Sequence, residues 1–141
     1  MKKILSTAPG RVCLFGDHQD YLELPVIACA IDRMMQIDAE ENGKDHFEID
    51  MPDMAQKRTI PLQQDFDEIE RGDFIKIALK VLQKRHIVPT KGYRLTITSE
   101  IPINSGLSSS SALTIAWILF LIAAFSDRSF SPKELALLAY E

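Results

Sequence analysis

Two short segments hold residue types that could do chemistry together. Near the amino terminus, Ala8-Pro-Gly-Arg-Val-Cys-Leu-Phe-Gly-Asp-His-Gln-Asp-Tyr21 places Arg11, Asp17, His18, Asp20 and Tyr21 within eleven positions, four of them at one turn after an apolar strand. Asp carboxylates accept hydrogen bonds from sugar hydroxyls, and His bonds in either sense. Arg is a permanent cation suited to a phosphoryl group or an attacking alkoxide. That is the outline of a polyol site, and also the composition of a solvated turn in which Gly16 permits the bend.

The second segment is Pro102-Ile-Asn-Ser-Gly-Leu-Ser-Ser-Ser-Ser-Ala112, between a predicted strand and a predicted helix. A helix N-terminus leaves backbone N–H groups pointing outward and attracts anions. Gly106 would let the backbone approach a phosphate, and Ser108 to Ser111 add hydroxyls that bond phosphate oxygens or coordinate Mg²⁺. No Lys follows Gly106, so this is not the Walker pattern. Serine is also a common N-cap, so the run alone reads equally as a helix cap.

The elements around these segments must position them. Short β-prone pieces, Ile4 to Thr7, Val12 to Phe15, Val26 to Ile31 and Met34 to Ala39, alternate with turn residues. Pro25 to Ile31 is almost wholly apolar, as a strand covered on both faces would be. Further strands are expected at His46 to Met51, Arg58 to Leu62 and Tyr93 to Ile101. Phe74, Ile77, Ala78, Val81 and Leu82 fall at helical spacing behind Asp73, a good N-cap. A long apolar helix is expected from about Ser109 to Phe125. Ser131-Pro-Lys-Glu134 then opens a third helix with a Ser cap, Pro first and Glu third.

Composition sets the remaining bounds. The chain has 141 residues, 46% hydrophobic and 26% charged, enough for one domain with a real core. Net charge is −4 with Lys and Arg scattered, which argues against a nucleic-acid partner. The apolar run from Ala112 to Phe125 is shorter than the roughly 18 to 20 residues of a membrane span and reads as a buried helix. No signal-peptide core follows Lys2 and Lys3, so a cytoplasmic location, away from the membrane, is the default expectation. Cys13 and Cys29 sit in apolar stretches and read as small core residues. His46 and His86 read as ordinary surface or edge residues.

Taken together, the two segments resemble the first and second motifs of the GHMP kinases, the superfamily of galactokinase, homoserine kinase, mevalonate kinase and phosphomevalonate kinase. Ala-Pro-Gly-Arg-Val-x-Leu-Phe-Gly-Asp-His-x-Asp-Tyr is similar to the galactokinase signature, and Pro-Ile-x-Ser-Gly-Leu-Ser-Ser-Ser resembles the phosphate loop. The resemblance implies an α+β fold, the amino-terminal GHMP domain with a left-handed βαβ unit in a two-layer, ribosomal-protein-like arrangement. It implies ATP and Mg²⁺ as cofactors and phosphoryl transfer to a sugar hydroxyl. A mevalonate-type kinase and a non-catalytic sugar and ATP sensor are the alternatives.

By the same resemblance Arg11 lies near the hydroxyl being phosphorylated, and Asp17, His18, Asp20 and Tyr21 bind the sugar. Asn104, Ser105, Gly106, Leu107, Ser108, Ser109 and Ser110 wrap the phosphates, with Ser109 helping to hold Mg²⁺. Three positions depart from the galactokinase pattern. Asp17 stands where Glu is usual, Leu22-Glu-Leu-Pro25 replaces Asn-Gly-Gly, and Asn104 replaces the first glycine of the loop. The chain stops inside a helix. Residues 1–141 are therefore expected to be an amino-terminal ATP-binding domain cut within a larger protein. The family's hydroxyl-activating Asp and carboxy-terminal domain would lie beyond it, and these residues alone are expected not to turn over.

Overall fold

A computed structural model describes residues 2–16, 22–63, 68–102 and 107–140. The first strand, β1 (Lys3–Phe15), pairs antiparallel with β2 (Ile27–Glu41). β3 (His46–Met51) and β4 (Gln56–Pro61) form a second hairpin around a 3₁₀ turn at Pro52–Met54. α1 (Phe74–Gln83) leads to β5 (Tyr93–Ser99), which inserts between the hairpins, antiparallel to β2 and parallel to β3. The sheet order is β1-β2-β5-β3-β4. α2 (Ser109–Phe125) and α3 (Pro132–Tyr140) complete the expected α+β fold.

Alternation along the strands makes the fold two-layered. Ser6, Ala8, Met35, Ile37, Ala39, Phe47, Ile49, Tyr93, Leu95 and Ile97 are buried toward the helices. Their neighbours Lys3, Thr7, Asp38, Glu40 and Arg94 face outward. On that outer face Glu48 bonds Lys44 at 2.6 Å and Arg94 at 3.4 Å.

The helices begin where their caps predict. The Asp73 side chain accepts from the Lys76 amide at the start of α1. Ser131 and Glu134 exchange bonds in both directions at the start of α3, 3.2 and 2.7 Å, the reciprocal box that satisfies two orphan amides. α1 differs from expectation in its buried face. Ile75, Ala78, Leu79, Val81 and Leu82 are inside, while Phe74 is exposed, and on this face the Ile75 carbonyl accepts the Trp117 indole N–H at 3.1 Å.

Two expectations fail in the same place. Cys13 is only partly buried and Cys29 is exposed, so they are not core residues. Residues 25–30 are exposed as well, where a strand covered on both faces was expected. The cause is the register. β5 pairs with β2 only from Met35 to Glu41, so the far half of the β1–β2 hairpin runs beyond the sheet as a two-stranded ribbon. Phe15 is 71% exposed and Ile27 56% exposed on it.

α2 is apolar on every side and lies between the sheet, α1 and α3. Trp117 and Phe120 are fully buried, and Phe47, Tyr93 and Phe125 meet Phe120 edge-on at 5.2 to 6.4 Å between ring centroids. No helix among the described residues is long and apolar enough to cross a membrane. Trp117→Phe keeps most of this packing but loses the bond to Ile75. It should cost about 1 to 2 kcal/mol, read as a lower urea midpoint at an unchanged m-value.

Candidate functional site

The start of α2 is open. Ser108 has left-handed backbone angles (φ 62°, ψ 47°), and its side chain makes no capping bond. The first helical bond runs from the Ala112 amide to the Ser108 carbonyl. The amides of the first turn, Ser109 to Ser111, therefore precede the intrahelical ladder, the arrangement that favours an anion. Ser108 and Ser109 are partly buried, and Ser110 is exposed.

β1 is stitched to this helix start. Its pairing with β2 jumps from Pro9 opposite Met34 to Arg11 opposite Ala30, so three β2 residues face Gly10 alone. At that bulge the Arg11 amide donates to the Leu107 carbonyl at 3.0 Å. Arg11 itself is exposed. The two sequence segments thus meet at Arg11 and Leu107, the residue just before the Ser108 cap.

On the other side, a cavity of about 340 Å³ opens beside Ser109 and Ser110. Its apolar wall is Met35, Met51, Met54, Phe74, Ile97 and Leu113. Polar residues line it too, and the three charged ones are fixed by hydrogen bonds. Asp53 accepts from the Ser99 amide at 2.8 Å, and Arg58 makes two bonds to the Asp73 carboxylate at 3.1 and 2.9 Å. A flat apolar ring system suits such a cavity, with an anionic tail at the α2 N-terminus. A smaller cavity of about 140 Å³ lies between the three helices, shares Ser110 with the first, and has no charged residue in its wall.

Of the residues singled out from sequence, Arg11, Leu107, Ser108, Ser109 and Ser110 are gathered here. Asp17, His18, Asp20, Tyr21, Asn104, Ser105 and Gly106 lie outside the described residues. Gly16 does have the positive φ (+87°) expected of the bend, and a side chain there would press on the Pro25 carbonyl at 2.8 Å. Sequence reasoning missed the cavity wall. Asp73 was legible as a helix cap, yet nothing in its neighbourhood signalled that Arg58, fifteen residues away, would hold it.

Known proteins align with both halves. Residues 73–141 match the family "GHMP kinases N terminal domain", and residues 1–37 match the "Galactokinase galactose-binding signature". The chain therefore belongs to the GHMP kinases. Within that family it is 31% identical over 144 residues to a galactokinase of Candida parapsilosis, covering 94% of this chain and 28% of that one. It is 29% identical over 147 residues to a mevalonate kinase of Thermococcus sibiricus, covering 99% and 44%. Its fold matches the crystal structure of the Methanococcus jannaschii mevalonate kinase with a TM-score of 0.83 and 26% identity, over 99% of this chain and 45% of that one. The chain spans less than half the length of these relatives.

Burial pushes the Asp73 carboxyl up, but the Arg58 bonds, the Lys76 amide and their positive charges outweigh it and leave it below the ordinary aspartate value. A group lowered on folding stabilises above its unfolded pKa, and that contribution disappears as pH falls through the folded one. Arg58→Ala should therefore lower stability by about 1 to 2 kcal/mol at pH 7, and the gap from wild type should shrink as pH falls below the ordinary aspartate range. Urea midpoints from pH 2.5 to 7 check this; a gap that persists undiminished at the acid end would show that the pair's charge is not its source.

Proposed function

We propose that the chain is the nucleotide- and sugar-binding part of an ATP-dependent small-molecule kinase that phosphorylates a galactose-like sugar. The observation that carries the reading is the cavity that opens at the uncapped N-terminus of α2, on the helix whose preceding residue is bonded to Arg11. The base of ATP would occupy the apolar cavity. Its phosphates would lie across the α2 N-terminus, held by the amides and hydroxyls of Ser108, Ser109 and Ser110 and by Asn104, Ser105, Gly106 and Leu107.

Mg²⁺ fits this donor set as a companion of the nucleotide. Among the described residues no cluster of three or more His, Cys, Asp and Glu could hold a metal. Asp53 and Asp73 beside the cavity are already bonded to Ser99 and Arg58. Ser109 remains as an oxygen donor, and Mg²⁺ bound to phosphates needs only one or two protein oxygens. Bound there, the ion would offset phosphate charge.

Asp17, His18, Asp20 and Tyr21, which follow β1 in the sequence, would hold the sugar by its hydroxyls. The attacking hydroxyl would form a new P–O bond to the γ-phosphorus while the bond to the ADP oxygen breaks in line, and the hydroxyl proton would leave to a base outside the residues assigned here. Arg11 would stabilise charge as it builds on the transferred group. The match of residues 1–37 to a galactose-binding signature favours a sugar. The similarity to mevalonate kinases keeps mevalonate as a second acceptor to test.

ADP release by the full-length protein, measured with galactose and with mevalonate under MgATP, separates the two acceptors; release with neither would sink the kinase reading. Arg11→Ala should lower kcat by about 10² to 10³ with little change in KM for ATP. Unaltered kcat would remove Arg11 from the transfer step.

A further inference from the structure

Gly10 has no side chain to bind with, yet it sits where β1 passes Leu107, beside the Arg11 amide that bonds it. A Cβ placed on Gly10 would lie 2.8 Å from the Leu107 carbonyl oxygen, and 3.2 and 3.3 Å from Ile101 side-chain carbons. The Ile101 contacts could be relieved by a side-chain movement. The Leu107 contact is with backbone, and that same carbonyl accepts the Arg11 amide at 3.0 Å. Gly10 has no need of positive φ here, so what the site requires is the empty space. The bulge in the β1–β2 pairing is centred on the same residue.

We infer that Gly10 is a positioning residue for the nucleotide: its missing side chain lets the Leu107 carbonyl seat on the Arg11 amide, and so sets the α2 N-terminus at a fixed distance from β1. This rests on the reading of the α2 N-terminus as the phosphate site. A methyl group at position 10 would push Leu107, and with it Ser108 and the first turn of α2, away from the strand. The residues assigned to the sugar would be spared, because they follow β1 in the sequence and not Leu107. The effect of the substitution should therefore fall on the nucleotide and not on the sugar.

The test is to titrate MgATP and galactose separately into the wild-type chain and into Gly10→Ala, following both by calorimetry with thermal unfolding alongside. The expected result is a Kd for MgATP raised about tenfold or more, with the galactose Kd within about twofold of wild type. Equal losses for both ligands would make Gly10 merely structural and overturn the inference. An unchanged MgATP Kd would overturn it too, while leaving the nucleotide reading in place. A wild-type chain that binds no MgATP would instead remove the reading on which the inference stands.

If Gly10→Ala does not fold, hydrogen exchange on the wild type decides. MgATP should slow exchange at the Arg11 amide more than at Leu5, which lies on the same strand away from the bulge. Equal response at the two amides would overturn the inference.

Discussion

The burial of α2 is the constraint from which the site follows. A helix apolar on every side can be placed only where other elements surround it, and here the sheet, α1 and α3 do so. Two polar contacts then fix its rotation and height. The Ser6 hydroxyl donates to the Ala116 carbonyl at 2.6 Å from the strand side, and the adjacent Trp117 donates to Ile75 from the α1 side. Both lie in the middle of the helix, so its first turn, two turns away, has no freedom to slide or roll. The open amides at Ser109 to Ser111 are delivered to one point in space by packing far from them.

That delivery explains the division of labour between the two faces of the molecule. The outer sheet face carries the charge network of Lys44, Glu48 and Arg94, where the Lys44 hydrogen bond first, and the Lys44 and Arg94 charges after it, hold the Glu48 carboxyl at about 2. It stays ionised through the ordinary pH range and keeps this face wet. The inner face instead collects methionines and aromatic rings, and where the layers part at the top of β5 and the start of the two helices they leave the cavity. Methionine suits such a wall because its unbranched chain adapts to an irregular space.

What the sequence made legible was whatever is written locally. Asp73, Ser131 and Glu134 announced their helices, and the Ser109 to Phe125 helix was readable from its apolar length. The two strands of the long hairpin looked like four short ones, because Pro9-Gly10 and Asp32-Arg33 read as breaks; in the structure they are the two sides of one bulge. Cys13, Cys29 and the apolar run after Pro25 were misplaced for a related reason. Apolar composition records that a segment can be covered, while coverage depends on where β5 stops pairing, and that is set by register over sixty residues away. The cavity was illegible because its wall comes from five separate stretches, among which only the serines carry a chemical signature.

The phosphate site proposed at the α2 N-terminus has no Walker lysine. A lysine on a flexible stem can follow a phosphate that is slightly misplaced, since its charge acts from a range of positions. Backbone amides at a helix start cannot; their geometry is fixed by the helix, and their contribution falls off within the first turn. A site that relies on them gains selectivity for an anion at one spot and becomes sensitive to small displacements of the helix end. The fold supplies what that demands: a helix locked along its length by Ser6 and Trp117, and tied at its mouth to β1 through the Leu107 carbonyl. The glycine at position 10 is then the consequence of bringing a strand and a helix start closer than a side chain there would allow.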